Sequence, residues 1–115
     1  MAFVARVREE FRDATHNCWA WRVGPRGEAF QSSDDGEPSG SAGRPILQQI
    51  EGHDVTNVAV VVTRWFGGTK LGVGGLMRAY GGAAGHALDR AELRTVVITR
   101  ELTVIRDLNR NEIRF

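Results

Sequence analysis

Two stretches hold most of the residues able to do chemistry. The first, SSDDGEPSGSAGRP at 32–45, puts three carboxylates, Asp34, Asp35 and Glu37, within four residues, ahead of Ser39, Ser41, Gly43 and Arg44. Carboxylates this close raise one another's pKa or hold a hard cation, so Asp34 or Asp35 is a candidate general base. No second acidic cluster completes an octahedral cation site, and the register is not that of a calcium loop. The competing reading is structural: Asp34-Asp35-Gly36 as a turn, with Ser39 or Ser41 capping a following helix.

The second stretch, RWFGGTKLGVGGLMR at 64–78, sets Arg64, Lys70 and Arg78 among Gly67, Gly68, Gly72, Gly74 and Gly75. It leads from a β-branched run into a helix, whose unpaired N–H groups and dipole attract anions. With Arg64 and Lys70 flanking it, phosphate is the natural ligand. Neither the Walker spacing nor the dinucleotide-binding fingerprint is present. The alternative is a tight strand-to-helix connection needing positive φ, with Trp65 and Phe66 as core anchors. On the helix that follows, Gly74, Arg78, Gly81 and Gly85 share one sector, a bare face open to a ligand or a partner chain.

Elsewhere the chemistry is thin. His16, His53 and His86 are far apart in sequence and lack zinc-binding spacing, so neither a metal nor a cofactor is expected. Cys18 beside His16 suggests a thiol nucleophile, but a small buried residue is the favoured reading. Trp19 and Trp21 could stack bases, although two tryptophans sharing a strand face with Val23 read rather as core.

The chain has 115 residues, a net charge of +1 and one cysteine. One domain over 1–105 is expected, with an unassigned tail at 106–115. So even a balance argues against a basic nucleic-acid coat and makes any anion site local. A lone cysteine rules out an internal disulfide and favours a reducing compartment. The longest apolar run, 58–62, is too short to cross a bilayer, and no signal-peptide core precedes it; cytoplasmic localisation without membrane attachment is the expectation.

The elements that must position these residues follow from periodicity. Val4, Val7 and Phe11 predict a helix over 2–12, and Trp19, Trp21 and Val23 a strand that turns at 24–27 and returns over 28–33. Ile46, Leu47 and Ile50 predict a short helix over 44–52, with Pro45 in its first turn. A strand is expected over 55–63, a long helix from Val73 carrying Leu76, Met77, Tyr80, Ala83, Ala84, Ala87 and Leu88, and a strand over 95–105. This order implies an α+β fold: a two-layer α/β sandwich with a mixed sheet and its two main helices on one face.

Three stretches, THNCWAWRVG at 15–24, SSDDGEPSGSAGRPIL at 32–47 and VVTRWFGGTKLGVGGLMRAYGGA at 61–83, closely resemble the amino-terminal domain of the YigZ/IMPACT family. The resemblance implies the two-layer fold shared with a small-subunit ribosomal protein domain, the fourth domain of elongation factor G and the GHMP kinases. It also implies a role in translation or its regulation. The family's marked positions fall on Asp34, Asp35, Glu37, Pro38, Gly40, Gly43, Arg44 and Pro45, then on Arg64, Phe66, Gly67, Gly68, Lys70, Leu71, Gly72, Gly74, Gly75, Arg78 and Tyr80. The resemblance implies a first strand before the 2–12 helix and, in bacterial members, a carboxy-terminal domain; neither is expected within these 115 residues, and the bare sheet edge expected in that case would favour a homodimer.

Together these observations predict a non-enzymatic binding module with a pocket where the 34–45 and 64–78 loops meet. Arg44, Arg64, Lys70 and Arg78 would supply positive charge to RNA, a nucleotide or another phosphate-bearing ligand, with Asp34, Asp35 and Glu37 orienting them. Two other classes stay open: an enzyme acting on a small phosphorylated or acyl substrate, and a surface for a translation-related protein partner.

Overall fold

The structure is a computed structural model that describes residues 2–68, 70–95, 104–106 and 112–114. Helix α1 (Ala2–Glu10) leads into strand β1 (His16–Val23), which hairpins to β2 (Ala29–Ser33). Helix α2 (Gly43–Gly52), strand β3 (Val58–Arg64) and the long helix α3 (Gly72–Arg90) follow. The three strands form a sheet in the order β2-β1-β3. β1 pairs antiparallel with both neighbours, Trp19 lying opposite Ser33 on one side and Val61 on the other. The helices α2 and α3 pack together on one face of this sheet.

The two-layer α+β arrangement is as expected, with one difference in the sheet. The described sheet is antiparallel rather than mixed, and most of the strand expected over 95–105 lies outside the described residues. Its last residues begin β4 (Val104–Arg106), which pairs antiparallel with β5 (Glu112–Arg114), the latter in the tail at 106–115 that sequence left unassigned, as a separate two-stranded sheet. The facing of β1 is also reversed. Cys18 and Ala20, both fully buried, face α2 and α3 with Val60, whereas Trp19 and Trp21 are half-buried on the opposite face and Val23 is exposed. The small side chains lie under the helices; the alternation fixed the period but not which parity pointed inward.

The core is Ile46 and Ile50 of α2, Leu76, Tyr80, Ala84 and Leu88 of α3, and the inner residues of β1 and β3. The two helices approach closely at glycines. A Cβ on Gly81 would sit 3.7 Å from that of Pro45, and one on Gly85 only 2.7 Å from Gln49 Oε1. The glycine sector read as an open face is therefore, at Gly81 and Gly85, the buried crossing with α2; only Gly74 and Arg78 remain exposed. The opposite sheet face meets the end of α1, where Asn17 donates to the Phe11 carbonyl at 3.5 Å and accepts from Thr63 Oγ1 at 2.7 Å.

Candidate functional site

The acidic loop is built around Asp34. Its carboxylate accepts from the N–H groups of Gly40 (2.9 Å), Ala42 (3.1 Å) and Gly43 (2.8 Å). The last two bonds cap α2 from outside the helix, whose own N-cap residue, Ala42, has no side chain able to do so. Neither serine caps α2 as expected: Ser41 Oγ donates to the Pro38 carbonyl at 2.5 Å, and Ser39 is exposed. Burial opposes charge on Asp34, but these three N–H donors outweigh it and hold the carboxyl below the usual range. Gly43 is buried because Cβ there would meet the Ser33 backbone at 2.8 Å, so this position serves close approach between α2 and β2.

Asp35 and Glu37 tie the loop to the sheet. Asp35, at a positive φ of 41°, accepts from the Asn17 N–H at 2.7 Å where β2 no longer pairs with β1, and lies 3.5 Å from Arg8 Nη2. The Glu37 side chain is 3% exposed and receives a two-pronged contact from Arg64: Nε at 2.7 Å on Oε2 and Nη2 at 3.0 Å on Oε1. The Tyr80 hydroxyl also donates to Oε2, and His16 Nε2 stands 3.4 Å from Oε1. Burial disfavours the Glu37 charge, yet Arg64 and then Tyr80 more than compensate, and its pKa lies below 4.5. Glu37 in turn raises the pKa of Arg64. Burial, then contacts with Cys18 and Glu37, raise that of Tyr80. Burial pushes the Cys18 thiol up to about 12, and its Sγ donates to the Asp34 carbonyl at 3.0 Å. It stays a protonated, buried thiol, which removes the nucleophile reading.

The loops at 34–45 and 64–78 thus converge, but through a filled ionic joint at Glu37 and Arg64. Arg64 is committed to that joint. Arg44, Lys70 and Arg78 are exposed, and their side chains have no ion pair or hydrogen bond among the described residues. Gly67, Gly68, Gly72 and Gly74 are exposed and Gly75 half-buried; Gly68 and Gly72 have φ of 90° and 74°, the left-handed conformation the connection needs. Helix α3 starts at Gly72 with no side-chain cap and no acidic residue in its first turn. Trp65 and Phe66 are not core anchors: they are 50% and 47% exposed, as much as Leu71 and Val73 at 49% and 51%. Beneath Arg64, between β3 and α3, runs a shallow and mainly apolar cleft of about 200 Å³, lined by Val62, Thr63, Arg64, Ala79, Tyr80 and Ala83.

Sequence reasoning missed His16 and Tyr80 as partners of Glu37. A tyrosine inside a stripe of glycines and alanines was the available signal, because a buried hydroxyl requires a polar partner. Among the described residues no group of His, Cys, Asp and Glu could hold a metal ion.

The Impact N-terminal domain family matches residues 1–88 of this chain. The chain belongs to the IMPACT family. A Thermus thermophilus protein described as an IMPACT family member in the pol 5' region is 54% identical over 91 residues, covering 79% of this chain and 48% of the relative. The Escherichia coli IMPACT family member YigZ is 49% identical over 89 residues, 76% of this chain and 44% of that protein. A crystal structure of a hypothetical protein superposes with a TM-score of 0.74 at 48% identity, covering 77% of this chain and 44% of the other. This chain therefore spans a little under half the length of these relatives. The match encloses both the acidic and the glycine-rich loops.

Proposed function

We propose that this domain is a non-enzymatic binding module, linked to translation or its regulation, that takes a phosphate-bearing ligand such as RNA or a nucleotide on its 64–78 surface. One observation carries this reading: the side chains of Lys70, just before the uncapped start of α3, and of Arg78, within its first two turns, stand exposed and unpaired among the described residues. The sequence holds no Asp or Glu from Val55 to Leu88, so an approaching anion meets no carboxylate from this segment. The enzymatic alternative is less favoured, since of its two candidate bases Asp34 already accepts from three N–H groups and Asp35 accepts from the Asn17 N–H with Arg8 3.5 Å away. The partner surface imagined on the glycine face of α3 is closed by α2 at Gly81 and Gly85.

The experiment is an anisotropy titration of labelled RNA across ionic strength. Log affinity should fall linearly with log salt, and Lys70→Ala should reduce the slope by about one unit. An affinity unchanged from low to moderate salt would overturn the reading.

A further inference from the structure

Among the described residues Phe3, Phe30, Trp65 and Phe66 are the aromatics at least 40% exposed, and only Trp65 and Phe66 are adjacent in the chain. Trp65 and Phe66 directly follow β3 with about half of their area open, while the backbone beneath them is pinned. The Thr15 N–H donates to the Arg64 carbonyl at 3.1 Å, and the Phe66 N–H donates to Thr15 Oγ1 at 2.9 Å. Trp65 meets Phe11 edge to face with centroids 5.9 Å apart, and the Arg64 guanidinium sits 5.8 Å from the Phe66 centroid, itself fixed by Glu37. Both rings are therefore held on one side and open on another.

We infer that the ligand surface takes single-stranded nucleic acid, with unpaired bases stacking on Trp65 and Phe66 and the flanking phosphates reaching Lys70 and Arg78. This rests on the phosphate reading above and narrows it. Four residues of chain keep Lys70 within about 14 Å of Phe66, and Arg78 lies about 9 Å along α3 from Gly72. A strand of about four nucleotides or more, the usual footprint of such sites, covers this span. A free nucleotide satisfies the cations but leaves one ring empty. A duplex keeps its base faces stacked internally and offers the rings nothing. A single strand brings both anionic and planar apolar groups to a surface that holds exposed rings followed by exposed cations. Val73 and Met77, 51% and 40% exposed on the first turns of α3, extend the apolar part.

The test measures anisotropy of labelled oligo-U RNA and oligo-dT DNA, and of a duplex of equal length, for the wild type and for Trp65→Ala, Trp65→Phe, Phe66→Ala and Lys70→Ala, with thermal melts confirming that each variant folds. Both single strands should bind in preference to duplex, the RNA-to-DNA ratio reporting which source the surface favours. Trp65→Ala and Phe66→Ala should each weaken single-strand binding by roughly 5- to 150-fold, equivalent to about 1–3 kcal/mol per stacked base, with the salt slope unchanged. Trp65→Phe should retain most of the affinity. Equal binding of duplex and single strand, unaffected by Trp65→Ala, overturns the stacking inference while leaving the phosphate reading intact. Binding of polyglutamate as tight as that of the oligonucleotides would overturn it as well, by making the surface one for acidic proteins. Failure of every polyanion to bind overturns both readings.

Discussion

Glu37→Ala tests the joint that brings the two loops together. The substitution removes the acceptor of two guanidinium bonds and of the Tyr80 hydroxyl from a position whose side chain is 3% exposed. Breaking a buried ion pair by deleting one member costs about 3–5 kcal/mol, because the surviving charge is left without a partner. The Arg64 side chain is 20% exposed, so water recovers part of that loss and the expectation settles at about 3 kcal/mol. Against a total stability on the order of 5–15 kcal/mol this is a large fraction. With an m value on the order of 1.5 kcal/mol/M, the urea midpoint should fall by about 2 M with m unchanged. The cycle with Arg64→Ala and the double variant should give a coupling of about 2 kcal/mol. A coupling below about 1 kcal/mol would refute the claim that this pair joins the loops, since exposed pairs give about 0.2–1 kcal/mol.

Four further outcomes follow from the same contacts. Because the folded pKa values of Glu37 and Asp34 are depressed, their stabilisation is complete above their unfolded values of 4.5 and 3.8 and is lost as pH falls through the folded ones; Glu37→Gln should flatten the acid limb of a stability–pH curve. The His53 pKa is raised by Asp89, 2.7 Å from its Nε2, and by the Gln49 carbonyl, so its contribution is complete below 6.5 and lost as pH rises through the folded value; an NMR titration should show Asp89→Asn lowering that pKa. Asp34→Ala should cost about 1–3 kcal/mol in chemical denaturation by orphaning the N–H groups that start α2. Gly43→Ala should destabilise by about 1–3 kcal/mol through collision with the Ser33 backbone, whereas Gly82→Ala, exposed with nothing within 4 Å, should stabilise by about 0.5–1 kcal/mol; thermal melts giving the opposite order would contradict the packing described.

The long helix was legible in sequence because Leu76, Tyr80, Ala84 and Leu88 recur at its period, and all four are buried. Strand β1 was legible as a strand, but its burial was inverted. Side-chain size suggested that the tryptophans went inward, whereas the helices α2 and α3 cover Cys18 and Ala20. The convergence of the acidic and glycine loops could be anticipated from charge, yet its form could not. Glu37 and Arg64 are 27 positions apart, and nothing local shows that one carboxylate consumes one of the four expected cations. The capping role of Asp34 was hidden for a similar reason: the N–H groups it binds are six to nine residues on, beyond the short spacing by which caps are recognised.

The most direct measurement is an NMR titration of the ¹⁵N-labelled chain with unlabelled single-stranded oligonucleotide. Amide shifts should concentrate from Trp65 to Arg78, with the Trp65 indole N–H moving and those of Trp19 and Trp21 still. Saturating oligonucleotide that leaves residues 65–78 unmoved, or that shifts the Trp19 and Trp21 face instead, would contradict the assignment of the ligand surface.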